Sequence, residues 1–416
     1  MAKRIAIIGG GASGLMAAIM AARQGAQVTI LEHKDRVGKK ILMTGNGRCN
    51  LTNMNDIHHK YYGENLNQIY QTIETFDAKK VRAFFEEIGL YTKEKKDGGV
   101  YPVSEQAAGV LDVLRTECTH LHIQIWTECE VLNIEAAKDG GIVEYKRKME
   151  DQIKKGKLKY DALILATGGK AAPVSGSDGS GYQLAKKLGH SLITPLPALV
   201  QLRCEGNHFK MVSGVRAQAK LQVYVNQTYC AQEEGELQLT DYGISGIPVF
   251  QFSRIVARAL YQKQVCEVHI NFLTYMSEGQ VKELSNITRI AKQFSYKTAE
   301  EFLSGLVHKK LALLICKLSQ VKPTAKLSEL SEAEWTNCIH YLTGWKVSVK
   351  ETNPFENAQV CCGGVPLTEV FETMESKKCP HVYLVGELLD CDGICGGYNL
   401  QWAWSTGAIA GMHAAQ

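Results

Sequence analysis

Short apolar runs punctuated by glycine stand at both ends of the chain, and their periods set the expected elements. Arg4–Ile8 is such a run, followed by a glycine turn over 9–14 and an alanine-rich helix over 13–24 that Gly25 stops. Residues 28–32 read as a second buried strand. Residues 33–63, rich in Gly, Asn, Lys and Arg, have no clear period and read as an extended loop. Helices are expected over 64–74, over 77–88 with Asp77 as cap and Gly89 as stop, and over 105–120. Alternation over 123–148, broken by Asp139-Gly140-Gly141, predicts short strands, and 160–166 predicts a strand covered on both faces.

The pattern changes at Pro195 and Pro197. Strand alternation dominates 196–272, helical spacing dominates 276–343, and Trp345–Thr352 returns to strand before Pro354. The last stretch reads strand (382–386), glycine-rich loop, then helix to 415. The expected organisation is one α/β domain formed by 1–194 and 353–416, interrupted by a β-rich insertion (195–275 and 344–352) and a helical insertion (276–343).

Composition narrows the function classes. Forty-five per cent hydrophobic and 22% charged residues describe a globular chain with ample core. The 47 basic and 43 acidic residues leave +4, too little to point to nucleic acid or a membrane surface as the main partner. No uninterrupted apolar stretch is long enough for a spanning helix. Thirteen scattered cysteines, an odd number, read as free thiols in a reducing cytoplasm.

Gly9, Gly11 and Gly14 satisfy G-x-G-x-x-G between a strand and a helix, and Glu32 closes the next strand. In that context the fingerprint predicts a dinucleotide: a tight turn at Gly9, close backbone approach at Gly11, helix–strand packing at Gly14, and ribose hydroxyls on Glu32. An acid at 32 disfavours a 2′-phosphate. Two further segments point to FAD as the dinucleotide. Residues 163–169 end a buried strand in Thr167-Gly168-Gly169, and 381–387 end another in Gly386-Glu387, a glutamate where two-dinucleotide-domain flavoproteins carry a ribityl-binding aspartate. Gly396 and Gly397 then precede a helix whose N-terminal amides suit the negative charge of a reduced flavin.

The combination of Thr44-Gly45-Asn46-Gly47-Arg48-Cys49-Asn50-Leu51-Thr52-Asn53, Tyr242-Gly243-Ile244-Ser245-Gly246, Thr373-Met374-Glu375-Ser376-Lys377 and Gly396-Gly397-Tyr398-Asn399-Leu400-Gln401 resembles the BaiN-like, or aminoacetone-oxidase-family, flavoproteins over nearly the whole chain. The resemblance implies a Rossmann-like FAD-binding domain with an inserted β-rich domain and a small helical domain. It also implies an NAD(P)/FAD-dependent oxidoreductase. Glycine at 98 or 99 where arginine is usual, the Cys361-Cys362 pair, and Cys391 and Cys395 depart from the pattern, so substrate contacts are expected to differ.

The expected cofactor-binding set is Gly9, Gly11, Ala12, Ser13, Gly14, Glu32, His33, Lys34, Gly38, Lys39, Asn46, Gly47, Arg48, Cys49, Asn50, Val131, Thr167, Gly168, Gly169, Gly386, Glu387, Gly397, Tyr398, Asn399, Leu400 and Gln401. Cys49 reads as a packing residue more than a redox thiol, the cysteine spacings do not make a metal site, and no side chain is assigned as the catalytic acid. The expected reaction passes electrons from NAD(P)H, bound transiently, through FAD to a small organic acceptor beneath the inserted domain. An amine oxidase cycle with O₂, an RNA-modifying flavoprotein and a non-enzymatic FAD module are the competing readings. The oligomeric state is left open.

Overall fold

The computed structural model describes residues 2–150 and 152–416; Met1 and Asp151 lie outside the described residues. The chain divides into two compact units, Met1–Leu196 with Ala358–Gln416, and Pro197–Asn357.

The first unit is built on a five-stranded parallel sheet in the order Val382–Leu384, Ala162–Leu165, Arg4–Ile8, Gln27–Leu31, Gln124–Trp126. Ile5, Ile7, Ile30, Leu163, Ile164 and Leu384 are all buried, because a sheet covered on both faces needs apolar side chains pointing both ways. Numbered by position in the chain, the order is 3-2-1-4-5, the Rossmann arrangement. Its strand order reverses between Arg4–Ile8 and Ala162–Leu165, which opens a crevice at their carboxyl ends. The strand Val382–Leu384 comes from the last segment, so both ends of the chain complete one sheet.

The helix Tyr398–Ala414 packs on the first helix, Ala12–Arg23. A Cβ on Gly407 would lie 2.4 Å from the Ser13 carbonyl oxygen, and one on Gly411 would lie 2.3 Å from that of Ala17. The two helices therefore cross backbone to backbone, and only glycine admits that approach.

An antiparallel sheet of Gln152–Tyr160, Gly140–Met149 and Cys129–Ala137 also belongs to this unit. The lysine-rich strand Gln152–Tyr160 was not expected from the hydrophobic pattern. It is an outer strand whose charged side chains keep an open edge from pairing with other chains. The segment expected as extended loop contains a short helix, Lys39–Met43, and a 3₁₀ turn, Thr44–Gly47.

The second unit is a closed antiparallel barrel of six strands in the order Leu202–Cys204, Gly243–Ser245, Thr228–Leu239, Arg216–Val225, Cys266–Asn271, Trp345–Thr352. The helix Ile247–Tyr261 was not foreseen; Pro248 in its first turn is pre-set for that position. Helices from Glu278 to Gly344 share one apolar core with the barrel, with Trp335, Leu303 and Leu342 clustered with Val268 and Val347. Trp335 satisfies its indole by donating to the Leu284 carbonyl oxygen at 2.8 Å. Among the described residues no helix is long and apolar enough to cross a membrane.

Candidate cofactor site

The three fingerprint glycines divide their work between packing and open space. Gly9 has φ +102, donates its N–H to Leu31 O at 2.8 Å, and would put a Cβ 2.4 Å from Ala166 O. A Cβ on Gly14 would fall 2.0 Å from Gly9 O. Gly11 differs, since a Cβ there meets nothing within 4 Å. It caps the helix Ala12–Arg23, whose first amides receive no side-chain cap, so the positive helix end beside Ala12 and Ser13 faces free volume.

Glu32 is 8% exposed and fixed by two backbone amides, Gly10 N–H to Oε2 and Lys34 N–H to Oε1, both at 2.8 Å. Each carboxylate oxygen keeps a lone pair for a further hydroxyl donor. The His33 ring lies 3.8 Å from Glu32 Oε1 on one side and 3.8 Å from Asp178 Oδ2 on the other, and its buried Nε2 has no hydrogen-bond partner. Glu32 O and Lys34 O accept Cys129 N–H and Glu128 N–H, which brings the strand carrying half-buried Val131 to this end of the sheet.

Thr167 Oγ1 is buried without a partner, and a Cβ on Gly181 would sit 1.8 Å from it. Gly168 is left-handed (φ +70), and Gly169 passes Glu387 so closely that a Cβ would lie 3.0 Å from Oε1. Glu387 is held on both oxygens. Lys40 Nζ lies 2.6 Å from Oε2, and Cys361 N–H donates to Oε1 at 2.7 Å. Lys39 turns to Asp35, so the lysine brought to the site is its neighbour. Gly38 (φ +72) presses on Leu111 and starts the short helix from which both lysines project. Gly386 (φ +68) donates to Thr406 Oγ1 at 2.9 Å and accepts from Trp402 Nε1 at 3.0 Å, tying this turn to the C-terminal helix.

Gly45, Asn46 and Gly47 are successively left-handed, with φ of 56, 54 and 81°, and Cys49 is left-handed at 58°. Non-glycine residues at such angles carry backbone strain of about 1–3 kcal/mol, which clusters at ligand-holding loops. Cys49 is fully buried, and burial pushes its thiol up to about 12, so it packs and does not ionise. Asn46 and Gly47 are exposed, and Arg48 Nη1 reaches Glu105 Oε2 at 3.7 Å. Asn50 Oδ1 is buried without a partner, 2.9 Å from where a Cβ on Gly397 would lie.

Gly397 (φ +98) leaves the amide end of Tyr398–Ala414 without a side-chain cap. Tyr398 is buried edge-on against Tyr61 with 5.6 Å between centroids, and the Tyr61 hydroxyl donates to Tyr398 O at 2.9 Å. The Asn399 amide accepts Gly393 N–H and donates to Gly393 O, both at 2.8 Å, which locks the preceding loop. Gln401 accepts from Thr52 Oγ1 at 2.5 Å and donates to Phe76 O and Ser405 Oγ at 2.8 Å. The side chains of Asn399 and Gln401 therefore shape the helix start, and Leu400 is half-buried on the same turn.

An FAD molecule fits these residues. Open space at Gly11 faces an uncapped helix end, Glu32 keeps acceptor capacity, and Thr167 Oγ1 and Asn50 Oδ1 are buried polar atoms awaiting partners. Sequence reasoning missed Lys40. Lys40 differs from Lys39 only in the direction it leaves a five-residue helix. Among the described residues no disulfide is found.

The family described as HI0933-like protein Rossmann domain matches residues 3–413. The chain is 44% identical over 416 residues to the 3-dehydro-bile acid delta(4,6)-reductase of Clostridium scindens, covering 99% of each chain. It is 29% identical over 405 residues to the ribosomal RNA dihydrouridine synthase of Haemophilus influenzae, covering 96% of this chain and 95% of the relative. The Escherichia coli protein of the same name is 27% identical over 401 residues, with 96% and 95% covered.

Proposed function

The chain belongs to the HI0933-like family and is a flavin-dependent oxidoreductase, and from that premise we propose that it reduces a carbon–carbon double bond conjugated to a carbonyl in a small organic acceptor, with NAD(P)H as electron source. The observation that carries this reading is the 44% identity, end to end, with a reductase whose name specifies such a bond in a 3-dehydro-bile acid. Bound FAD supplies two-electron chemistry between a reductant and an acceptor.

The residues around it have separable tasks in this reading. Amides at Gly11, Ala12 and Ser13 hold the pyrophosphate, and Glu32 takes the adenosine ribose hydroxyls. His33, Lys34 and Val131 border the adenosine end. Thr167, Gly168 and Gly169, with Gly386 and the Lys40–Glu387 pair, border the ribityl chain. Asn50 and the first amides of the helix at Tyr398 face the flavin ring, where a positive helix end stabilises negative charge. The odd number and scattered spacing of the thirteen cysteines support a reducing compartment such as the cytoplasm.

A second reading has its own support, since two relatives are named ribosomal RNA dihydrouridine synthases. Reducing uridine to dihydrouridine also saturates a carbon–carbon bond beside a carbonyl. The near-balanced charge of +4 favours the small acceptor. Anaerobic titration of the yellow protein decides. Bleaching by NADH or NADPH followed by reoxidation with a conjugated steroid enone is expected. Bleaching by amines but by neither nicotinamide overturns the reductase reading, and reoxidation by unmodified ribosomal RNA alone transfers it to the second.

A further inference from the structure

One charged cluster on the first unit is built around Glu105 and includes Arg48, which the sequence placed with the cofactor but whose guanidinium turns to that carboxylate. Lys93 Nζ and Lys95 Nζ approach Glu105 Oε1 at 2.9 and 3.6 Å, and Arg48 Nη1 approaches Oε2 of the same carboxylate at 3.7 Å. The side chains of all four are between a third and a half exposed. The Arg48 and Lys95 distances are too long for hydrogen bonds, so their donors remain open to another oxyanion. Asp97, whose Oδ1 accepts Gly99 N–H, is a further acid near Tyr101, Glu94 between the two lysines lies 3.8 Å from Arg82, and the cations outnumber the acids by one.

The cluster is continuous with the cofactor loop. Lys95 Nζ lies 4.1 Å from the centroid of Tyr101. A Cβ on Gly99 would sit 3.2 Å from both the Tyr101 ring and Asn50 Nδ2, and one on Gly45 would sit 3.5 Å from that ring. A path therefore runs from Asn50, with its unpartnered buried Oδ1, across Tyr101 to the cations. Met43, Tyr91 and Val103, on the flanking segments, are 54%, 72% and 55% exposed, and Val103 N–H donates to Tyr91 O at 3.0 Å. Exposed apolar side chains beside a cationic group suit an amphipathic anion.

We propose that Arg48, Lys93 and Lys95 form an oxyanion subsite that holds the carboxylate or phosphate of one of the two flavin reactants. The rest of that reactant lies across Tyr101 toward Asn50. The inference rests on the reductase reading and names the chemical class of ligand that the reading leaves open.

The test uses oxidised, FAD-loaded protein and reads binding from the flavin absorbance, without turnover. The probes are a steroid enone carrying a carboxylate, its methyl ester, and NADP⁺. One anionic probe is expected to bind more tightly at low salt. In the Lys93→Met/Lys95→Met variant its Kd rises about 10-fold, while FAD affinity and the ester's Kd stay unchanged. Loss confined to the acid assigns the subsite to the acceptor's carboxylate, and loss confined to NADP⁺ assigns it to a phosphate. Wild-type protein that binds neither anion, or a double variant that binds both as wild type does, overturns the subsite. Lysine-dependent binding of the acid to a protein whose flavin neither nicotinamide bleaches in the anaerobic titration would instead overturn the reductase reading and leave the subsite standing.

Discussion

Gly14→Ala and Gly11→Ala differ by three positions and should fail in opposite ways. At Gly14 the new methyl falls 2.0 Å from the Gly9 carbonyl oxygen and 3.2 Å from Ala166 Cβ, so helix and strand must separate. Forced overpacking of this kind costs about 1–3 kcal/mol, which lowers the Tm of a unit this size by roughly 2–12 °C. At Gly11, φ −81 and ψ −167 suit any residue, and the methyl enters open space. Stability without FAD should change by less than about 1 kcal/mol, the scale of an altered helix cap. The same methyl occupies the volume into which the pyrophosphate must pack, so FAD binding should weaken at least about 10-fold, or ~1.4 kcal/mol. The assay is thermal unfolding of deflavinated protein with increasing FAD. A ligand at free concentration L that binds only the folded state stabilises it by RT ln(1 + L/Kd), so a weaker Kd gives a smaller rise in Tm at each concentration. Gly14→Ala should melt early before FAD is added, and Gly11→Ala should melt normally but gain little from it. A Gly11→Ala protein that binds FAD as tightly as wild type would refute the placement of the pyrophosphate.

Three further outcomes follow. Lys40→Met strands the Glu387 carboxylate in a half-buried setting and should cost about 1–3 kcal/mol in denaturant unfolding. Adding Glu387→Gln should recover part of that loss, and strict additivity of the two would show that the pair is not coupled. Gly407→Ala places a methyl 2.4 Å from Ser13 O, and should lower both Tm and FAD affinity by displacing the first helix; unchanged values for both would contradict the close crossing. Asp161, bonded to Arg4, has its carboxyl held down at about 2, chiefly by that side-chain hydrogen bond. A depressed folded pKa gives stability that is present above the ordinary carboxylate value and lost as pH falls through the folded one. The small Tm deficit of Asp161→Asn, no more than about 3 °C after solvent screening, should therefore be full at pH 7 and vanish between about pH 4 and pH 2. A deficit that grows on acidification would contradict it.

The parts of the fold that were legible are those where local chemistry and tertiary demand agree. The fingerprint turn required a left-handed position at Gly9 and a crowded one at Gly14 that only glycine fills, and Asp77 caps its helix by accepting Lys80 N–H at 2.8 Å. The helix Ile247–Tyr261 was hidden because its valine, isoleucine and phenylalanine content reads as strand, and packing over the barrel overrides that preference. The strand Gln152–Tyr160 was hidden because an edge needs charge in place of apolar alternation. The site failed to be legible in a different way. Asn399 and Gln401 were placed in the cofactor-binding set, and the partners of their side chains, Gly393 for the first and Phe76 and Thr52 for the second, became visible only in the fold. Lys40 was passed over for Lys39 because the left-handed Gly38 sets the phase of the short helix, and nothing in the sequence states that phase.

In the proposed function this family member reduces an activated double bond with electrons from a nicotinamide. The most direct measurement is an anaerobic double titration of the FAD-loaded protein, first with NADPH or NADH and then with a conjugated enone. The yellow band is expected to be lost on the first addition and to return on the second, with the saturated ketone recovered in equal amount to the flavin reoxidised. A flavin that stays yellow through both nicotinamides, or that returns only when oxygen is admitted, contradicts it.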